Sequence, residues 1–334
     1  MAEMAKTILA LYKIIPQYVL GSLPAIAIMG DSPYIEFRAK FMWLLRCLGC
    51  PFDGLFHSLN VGGNEVSRCI YWLSEYNFTV VEHTNNEEET NDKEVTKGTD
   101  RHPKYRPFGF HAMKLNIEKN KHINEYVERC TAKASVLERL SSLVSAYYIM
   151  VGLVAGFSMV QGEIVCEGWA YLPLLLSWTI PAIWRRGFYG ILIVKDPSEV
   201  FDKIQIIVDN DPKDKLKFHK RATVTLTALL SIVYPWVTVL IVYFTPPVGY
   251  FCRSKYVTVI TSIWSFNSAL AYFWHIKGES DLIMSGEGFL HVWFSTCGFI
   301  VAYLLLFLGI FTGYNTLWVD LFGDACDLSN IGCY

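Results

Sequence analysis

Charged residues are scarce in much of this chain. Only 18% of its 334 residues are Asp, Glu, Lys or Arg, whereas 52% are hydrophobic and 15% are aromatic. The scarcity is uneven, because residues 1–138 have a mixed composition that suits water and residues 139–314 include long stretches without any charged residue. This contrast favours a protein that lies in lipid over one that is wholly soluble.

The chain also lacks the short motifs of common enzymes and nucleotide-binding proteins. It has no HExxH, GxSxG, P-loop or GxGxxG pattern, so the sequence indicates no cofactor. A net charge of −2 argues against a nucleic-acid-binding protein, which needs a large positive field to release counterions from phosphates. No internal repeat relates two halves of the chain, so the inverted repeats of many secondary transporters are missing.

Five apolar segments have the length expected of membrane crossings, which take about 17 to 25 residues. They are 140–160, 169–184, 222–244, 256–274 and 288–313, and none contains Asp, Glu, Lys or Arg. The second is short, but Trp169 and Trp184 stand at its ends, where aromatic side chains favour the membrane interface. Backbone groups must be paired in lipid, so each segment is predicted to be a helix. The predicted fold is an all-α integral membrane protein with five transmembrane helices.

The apolar segment 7–29 is a further candidate, interrupted by Lys13, Pro16 and Pro24. Three interpretations are open: a sixth span, a helix lying on the membrane, or a cleaved signal peptide. The signal peptide would place residues 30–138 outside the cell, which disagrees with the distribution of basic residues.

Basic residues set the expected orientation. The linker 185–221 contains nine of them, and six more precede the first span between residues 114 and 139. Loop 161–168 and the tail 314–334 contain none, whereas Arg253 and Lys255 are the exceptions on that side. The positive-inside rule therefore places the linker in the cytosol and the C-terminal tail on the extracytoplasmic side.

The chain is predicted to divide into four parts. Residues 1–29 form the N-terminal hydrophobic segment, 30–138 a cytosolic region, 139–314 the transmembrane domain and 315–334 the extracytoplasmic tail. Within the cytosolic region, residues 31–58 are predicted to form an amphipathic helix on the membrane surface. Residues 84–106 are predicted to be disordered, because they contain almost no apolar bulk.

Cysteines are distributed over both sides of the predicted membrane. The outer set can form disulfides with three connectivities, and we expect at least one to join the tail to loop 245–255; it consists of Cys166, Cys252, Cys326 and Cys333. On the inner side, three cysteines and one histidine have the ligand types of a zinc site without its paired spacing; they are Cys47, Cys50, His57 and Cys69. Buried thiols and palmitoylation are the alternatives for Cys47 and Cys50.

The fourth predicted span is the most polar. Its polar side chains form what we call the polar seam: Thr258, Thr261, Ser265, Asn267 and Ser268. One interpretation is a pathway for a small polar solute. The alternative is that the hydroxyl groups bond to their own helix while Asn267 joins two helices. The five spans contain no carboxylate, Lys or Arg, and His291 lies near a membrane edge, which weakens an ion-coupled mechanism.

Basic residues at the predicted cytosolic interface are candidates for contacts with lipid headgroups. They are Arg185, Arg186, His219, Lys220 and Arg221. Together they could grip a lipid phosphate with a histidine as general base, or they could simply set the topology and attract anionic lipids.

The predicted function is a noncatalytic interaction, scaffolding or regulatory role in the plasma membrane or an endomembrane. Membrane lipids are the expected partners, together with a protein partner bound through residues 30–138. The alternatives are a channel or facilitative transporter for a small polar solute and, third, a lipid-directed membrane enzyme. The sequence leaves homo-oligomer formation open.

Overall fold

The structure is a computed structural model whose described residues are mostly helical. They are 37–61, 78–81, 104–105, 131–160, 174–193, 205–207, 218–245, 248–250, 252–277 and 287–305. The eight α-helices are α1 (Phe37–Gly49), α2 (Pro51–Val61), α3 (Val136–Val160), α4 (Ile180–Tyr189), α5 (Phe218–Ile232), α6 (Pro235–Phe244), α7 (Cys252–Lys277) and α8 (Glu287–Tyr303). The predicted segment 7–29 and the C-terminal tail lie outside the described residues.

The described residues include five short strands that the sequence patterns did not predict. They are β1 (Phe78–Val81), β2 (Lys104–Tyr105), β3 (Thr131–Lys133), β4 (Ile191–Ile193) and β5 (Gln205–Ile207). Strand β1 pairs antiparallel with β2 and parallel with β5, whereas β3 pairs antiparallel with β4. Strand β2 falls inside the segment 84–106, whose other residues lie outside the described residues, so the disorder of that segment stays a prediction.

Helix α3 begins at a capping box that ties it to the preceding chain. The Ser135 hydroxyl and backbone N–H both donate to Glu138 Oε2 at 2.8 Å, and the Glu138 N–H donates to Ser135 Oγ at 3.3 Å. These bonds satisfy donors that a helix N-terminus otherwise leaves unpaired. The side-chain bond first, and then the backbone bond, hold the pKa of Glu138 below its usual value.

Helices α3 and α4 run antiparallel, because the start of α3 lies beside the end of α4. The Ala134 N–H donates to the Gly190 carbonyl at 2.7 Å, and strands β3 and β4 extend this contact. Gly190 has a φ of 29°, a conformation that glycine adopts readily, and it ends α4. One turn earlier, Gly187 packs against Leu143 of α3.

Helix α7 runs antiparallel to both of its sequence neighbours. Thr225 of α5 lies beside Tyr272, and Trp236 of α6 bonds to Ser265, so higher residue numbers in one element face lower numbers in the other. The same relation holds with α8, where Trp293 bonds to Asn267 and Tyr256 reaches the carbonyl of Leu304. The segment that ends in α4 also runs antiparallel to the α5–α6 pair, because Ser177 bonds to Tyr234 and Thr238 bonds to the Leu174 carbonyl. The elements described within the five apolar segments therefore alternate in direction.

Two prolines begin helices at breaks in the predicted spans. A 3-10 turn at Ser177–Thr179 interrupts the second segment, and Pro181 lies in the first turn of α4. In the third segment, α5 ends at Ile232 and Pro235 starts α6. Proline suits a first helical turn because that position needs no N–H donor.

One helical stretch in the described part of the chain, Val224–Phe244, is long and apolar enough to cross a membrane by length and composition. It matches the predicted span 222–244 and includes the break before Pro235. Phe289–Tyr303, within the predicted span 288–313, is apolar but shorter.

The bundle buries several polar side chains and exposes many large apolar ones. Many of its buried side chains carry hydroxyl groups, and Asn267 is only 1% exposed. Large apolar side chains face outward instead: Leu229 is 54% exposed, Phe266 is 61% exposed and Phe299 is 60% exposed. An apolar core does exist around Trp178 and Trp264, whose rings meet edge to face at 5.5 Å.

Helices α1 and α2 pack against α5, α7 and α8. The sequence predicted an amphipathic helix on the membrane surface over residues 31–58, whereas residues 37–61 form two helices within the packed unit. Gly49 and Gly298 bring α1 and α8 into backbone contact: a Cβ atom on Gly49 would overlap the Phe294 carbonyl, and one on Gly298 would overlap the Leu45 carbonyl. Glycines permit this close approach because they lack a side chain.

Candidate functional site at the junction of helices α1 and α2

The junction between α1 and α2 (residues 46–53, hereafter the junction) is a mostly buried region that makes several polar contacts with α7. Trp264 Nε1 donates to the Leu48 carbonyl at 2.6 Å, and Asn267 Nδ2 donates to the Gly49 carbonyl at 2.8 Å. The last carbonyls of a helix have no partner within that helix. Helix α7 therefore provides the bonds that the end of α1 lacks.

The same face of α7 also caps the start of α2. Ser268 Oγ accepts a bond from the Phe52 N–H at 3.3 Å. Residues 264, 267 and 268 share one face because they are separated by three and four positions along a helix. Asn267 Oδ1 is engaged too, since it accepts a bond from Trp293 Nε1 of α8 at 3.0 Å. Asn267 thus links three elements.

A charged pair lies within the junction. Arg46 Nε donates to Asp53 Oδ2 at 2.8 Å, and the two side chains are 13% and 16% exposed. The Arg46 guanidinium also lies 5.1 Å from the ring of Trp43, within range of a cation–π interaction. The sequence patterns did not predict this pair, because residues 31–58 resemble a helix on the membrane surface. The available signal was an arginine followed seven residues later by an aspartate across Pro51.

The polar seam is engaged mainly in bonds within the protein. Thr258 Oγ1 donates to the Ser254 carbonyl of its own helix at 2.6 Å. Asn267 and Ser268 bond to the junction as described above. Thr261 is fully buried, and its hydroxyl has no hydrogen-bond partner among the described atoms. With Ser265, which is described next, four of the five seam residues form hydrogen bonds with other groups of the helices.

Ser265 bonds to groups on both sides of the proline break between α5 and α6. The Trp236 N–H donates to the Val233 carbonyl, so it does not make the usual helical bond to Ile232. Ser265 Oγ donates to the free Ile232 carbonyl at 2.7 Å and accepts from Trp236 Nε1 at 2.8 Å. A serine side chain can link two helices in this way and pair a backbone group that a proline leaves unbonded.

The predicted headgroup residues lie at two helix ends. Arg185 and Arg186 are near the end of α4, whereas His219, Lys220 and Arg221 are in the first turn of α5. Arg186 is half-buried and favours the charged form of Glu138. The other four side chains lie outside the described residues, so their predicted role stays a prediction.

The predicted cysteine chemistry is largely untested. Cys47, Cys50 and Cys297 are buried thiols that form no disulfide within the described residues. The described residues contain no group of three or more His, Cys, Asp and Glu side chains suited to a metal ion. The side chains of His57 and Cys252, and all of Cys69, Cys166, Cys326 and Cys333, lie outside the described residues. The zinc and disulfide hypotheses therefore stay predictions.

Comparisons with known proteins gave no match. No protein-family model matches the chain, and neither a curated protein nor a solved structure is significantly similar to it.

Proposed function

We propose that the protein is a multipass helical membrane protein with a noncatalytic role, in which the bundle is a scaffold and hydrophilic segments contact a partner. The large apolar side chains on the outer surface of the bundle carry this proposal. Exposed apolar patches larger than a few hundred Å² are rare on soluble monomers, whereas lipid tails solvate such surfaces without cost. The outward side chains of Leu229, Phe266 and Phe299 fit a lipid environment.

The alternating directions of the helices support five crossings. Helix α3, the segment ending in α4, the α5–α6 pair, α7 and α8 follow one another in opposite directions, as consecutive spans must. This arrangement also agrees with the basic residues, because the start of α3 and the end of α4 share one end of the bundle. We therefore retain a cytosolic linker 185–221 and an extracytoplasmic C-terminal tail as part of the proposal.

The contacts of the polar seam favour a scaffold over a solute pathway. Side chains that line a pathway need free donors or acceptors, but Ser265, Asn267 and Ser268 bond to backbone and side chains of other helices. Bonds of this kind hold helices together where no water competes.

We place the partner contact in residues 84–103, which lie within the predicted cytosolic region 30–138. Residues 37–61 pack inside the bundle, so deleting the whole region would remove part of the scaffold. The test is to replace 84–103 with a Gly/Ser linker of equal length, using a shuffled 84–103 sequence as a control. We expect a stoichiometric partner to be lost with an unchanged melting temperature. Retention of the partner, or no stoichiometric partner with the native chain, would refute this role.

A facilitative transporter is the second candidate, and the junction favours it. Broken helices whose ends meet near mid-membrane form substrate sites in many transporters, and ionisable groups at such depth are commonly functional. The junction contacts residues 264–268, near the centre of the predicted span 256–274. Flux of small polar solutes into reconstituted vesicles, reduced by Asp53→Asn with folding retained, would support transport. Flux equal to that of empty vesicles would favour the scaffold. Lipid turnover dependent on His219 stays the third prediction.

A further inference from the structure

The direction of α1 within the bundle follows from its contacts with α8. Gly49 lies against both Phe294 and Gly298, whereas Leu45 lies against Gly298. Moving backward along α1 by one turn therefore corresponds to moving forward along α8. The two helices are antiparallel, so Phe37 lies toward the end of the bundle where α8 finishes and α7 begins.

Helix α2 packs in the opposite half of the bundle. The Phe52 N–H donates to Ser268 Oγ, and the Phe52 ring lies 5.9 Å from the ring of Tyr272, in the last two turns of α7. Phe52 and Phe56 also share a cluster with Leu290 in the first turn of α8. By contrast, the Leu48 carbonyl accepts a bond from Trp264, which precedes Ser268 and Tyr272 along α7. The change from one half to the other occurs at the junction.

The chain after α2 is found at this opposite end. Strand β1 pairs in parallel with β5, with Val80 opposite Ile206. Strand β5 lies in the linker between α4 and α5, and the start of that linker is paired with the residues before α3. The chain therefore reaches the linker end of the bundle by residue 78, although Phe37 lies toward the other end.

We propose that residues 37–61 form a broken membrane crossing, which passes from the α7-start end of the bundle to the linker end with its break at the junction. This inference rests on the proposed membrane location. It revises the prediction that all of 30–138 is cytosolic, because the chain before Phe37 then approaches from the extracytoplasmic side.

Two features allow a crossing in a segment that has charges and a break. Non-helical backbone at membrane depth needs partners from the protein, and Trp264, Asn267 and Ser268 supply them. A charged side chain at depth needs a counterion, and Arg46 and Asp53 are paired at 2.8 Å. The apolar-run criterion misses such a crossing because its charges are neutralised only in the folded bundle.

Two exposed native lysines test the inference in the full-length protein. Lys40 lies on α1 and Lys133 on β3, and both are exposed. Sealed membrane vesicles of one orientation are treated with a membrane-impermeant amine reagent, before and after permeabilisation, and labelling is read by mass spectrometry. We expect one lysine to be labelled in sealed vesicles and the other only after permeabilisation. Labelling of both from the same side would overturn the inference.

A tag in loop 161–168 separates this inference from the proposed multipass architecture. An epitope inserted after Val165 reports the crossing by α3, and we expect it on the same side as Lys40. If the epitope and Lys133 are on opposite sides while Lys40 accompanies Lys133, the multipass proposal survives and the broken crossing fails. If all three positions are on one side, both proposals fail. Substitution of Lys40 by arginine removes the labelled peptide and controls its assignment.

Discussion

Replacement of Asn267 by leucine should loosen the contact between the junction, α7 and α8. The side chain is 1% exposed, and the substitution removes its bonds to the Gly49 carbonyl and Trp293 Nε1. The buried Gly49 carbonyl is left without this hydrogen bond, at full cost. Trp293 is 41% exposed, so the loss of the bond from its indole N–H costs less. With about 1–2 kcal/mol for the buried carbonyl and about 1 kcal/mol for the indole, unfolding should become easier by about 2–3 kcal/mol.

Equilibrium unfolding in mixed micelles with increasing SDS measures this loss. Ser262→Ala is the matched control, because Ser262 lies on the same helix with an exposed side chain, and it should change the free energy of unfolding by less than about 0.5 kcal/mol. A double-mutant cycle between Asn267→Leu and Trp293→Phe isolates the bond between these two side chains. We expect a coupling of about 0.6–1.5 kcal/mol, the range of hydrogen bonds between membrane helices. Additivity within about 0.3 kcal/mol would refute the argument.

Three further predictions concern helix contact, the proline break and the capping box. Gly298→Ala should lower the free energy of unfolding by about 3 kcal/mol, because the added Cβ would overlap the Leu45 carbonyl of α1. Gly187→Ala is the control and should be tolerated. Unfolding in SDS compares the two variants, and equal losses of stability would contradict the contact between α1 and α8. Ser265→Ala should cost less stability when Pro235→Ala is also present, because without the proline ring the helix can continue and the Trp236 N–H can bond to the Ile232 carbonyl that Ser265 otherwise satisfies; an equal cost in both backgrounds would contradict this. The pKa of Glu138 is lower in the folded state than in the unfolded state, so its stabilisation is present above the unfolded pKa and is lost as pH falls through the folded pKa. Protection factors of amides in the first turn of α3, which correct for the slower intrinsic exchange in acid, should therefore fall as the pH falls, and Glu138→Gln should remove that dependence; the same fall in the variant would argue against the cap.

The apolar runs predicted the helices that a single continuous stretch of sequence is enough to define. The segment 256–274 lies within α7, and 222–244 matches Val224–Phe244, because a long uncharged run can bury its backbone only as a helix. The strands escaped prediction because they are two to four residues long, too short for alternation to be visible.

The junction could not be predicted, because the groups that form its hydrogen bonds are either far apart in the sequence or are backbone groups that no residue type marks. Asn267 was expected to join helices as one interpretation of the polar seam, and it does bond to α8 and to the end of α1. Its partner at Gly49 is a backbone carbonyl, a group that every residue has. Arg46 and Asp53 resembled surface charges, since only the turn at Cys50 brings them together.

The most direct test of the account is the environment of the outward apolar surface in lipid. Nitroxide spin labels at positions 229, 266 and 299, each in full-length protein in nanodiscs, compare collision with oxygen, which concentrates in hydrocarbon, against collision with a water-soluble nickel chelate. The account predicts high oxygen and low nickel accessibility at all three positions, with the reverse at exposed Lys133. Nickel accessibility at Leu229, Phe266 and Phe299 equal to that at Lys133 would contradict the membrane location of the bundle.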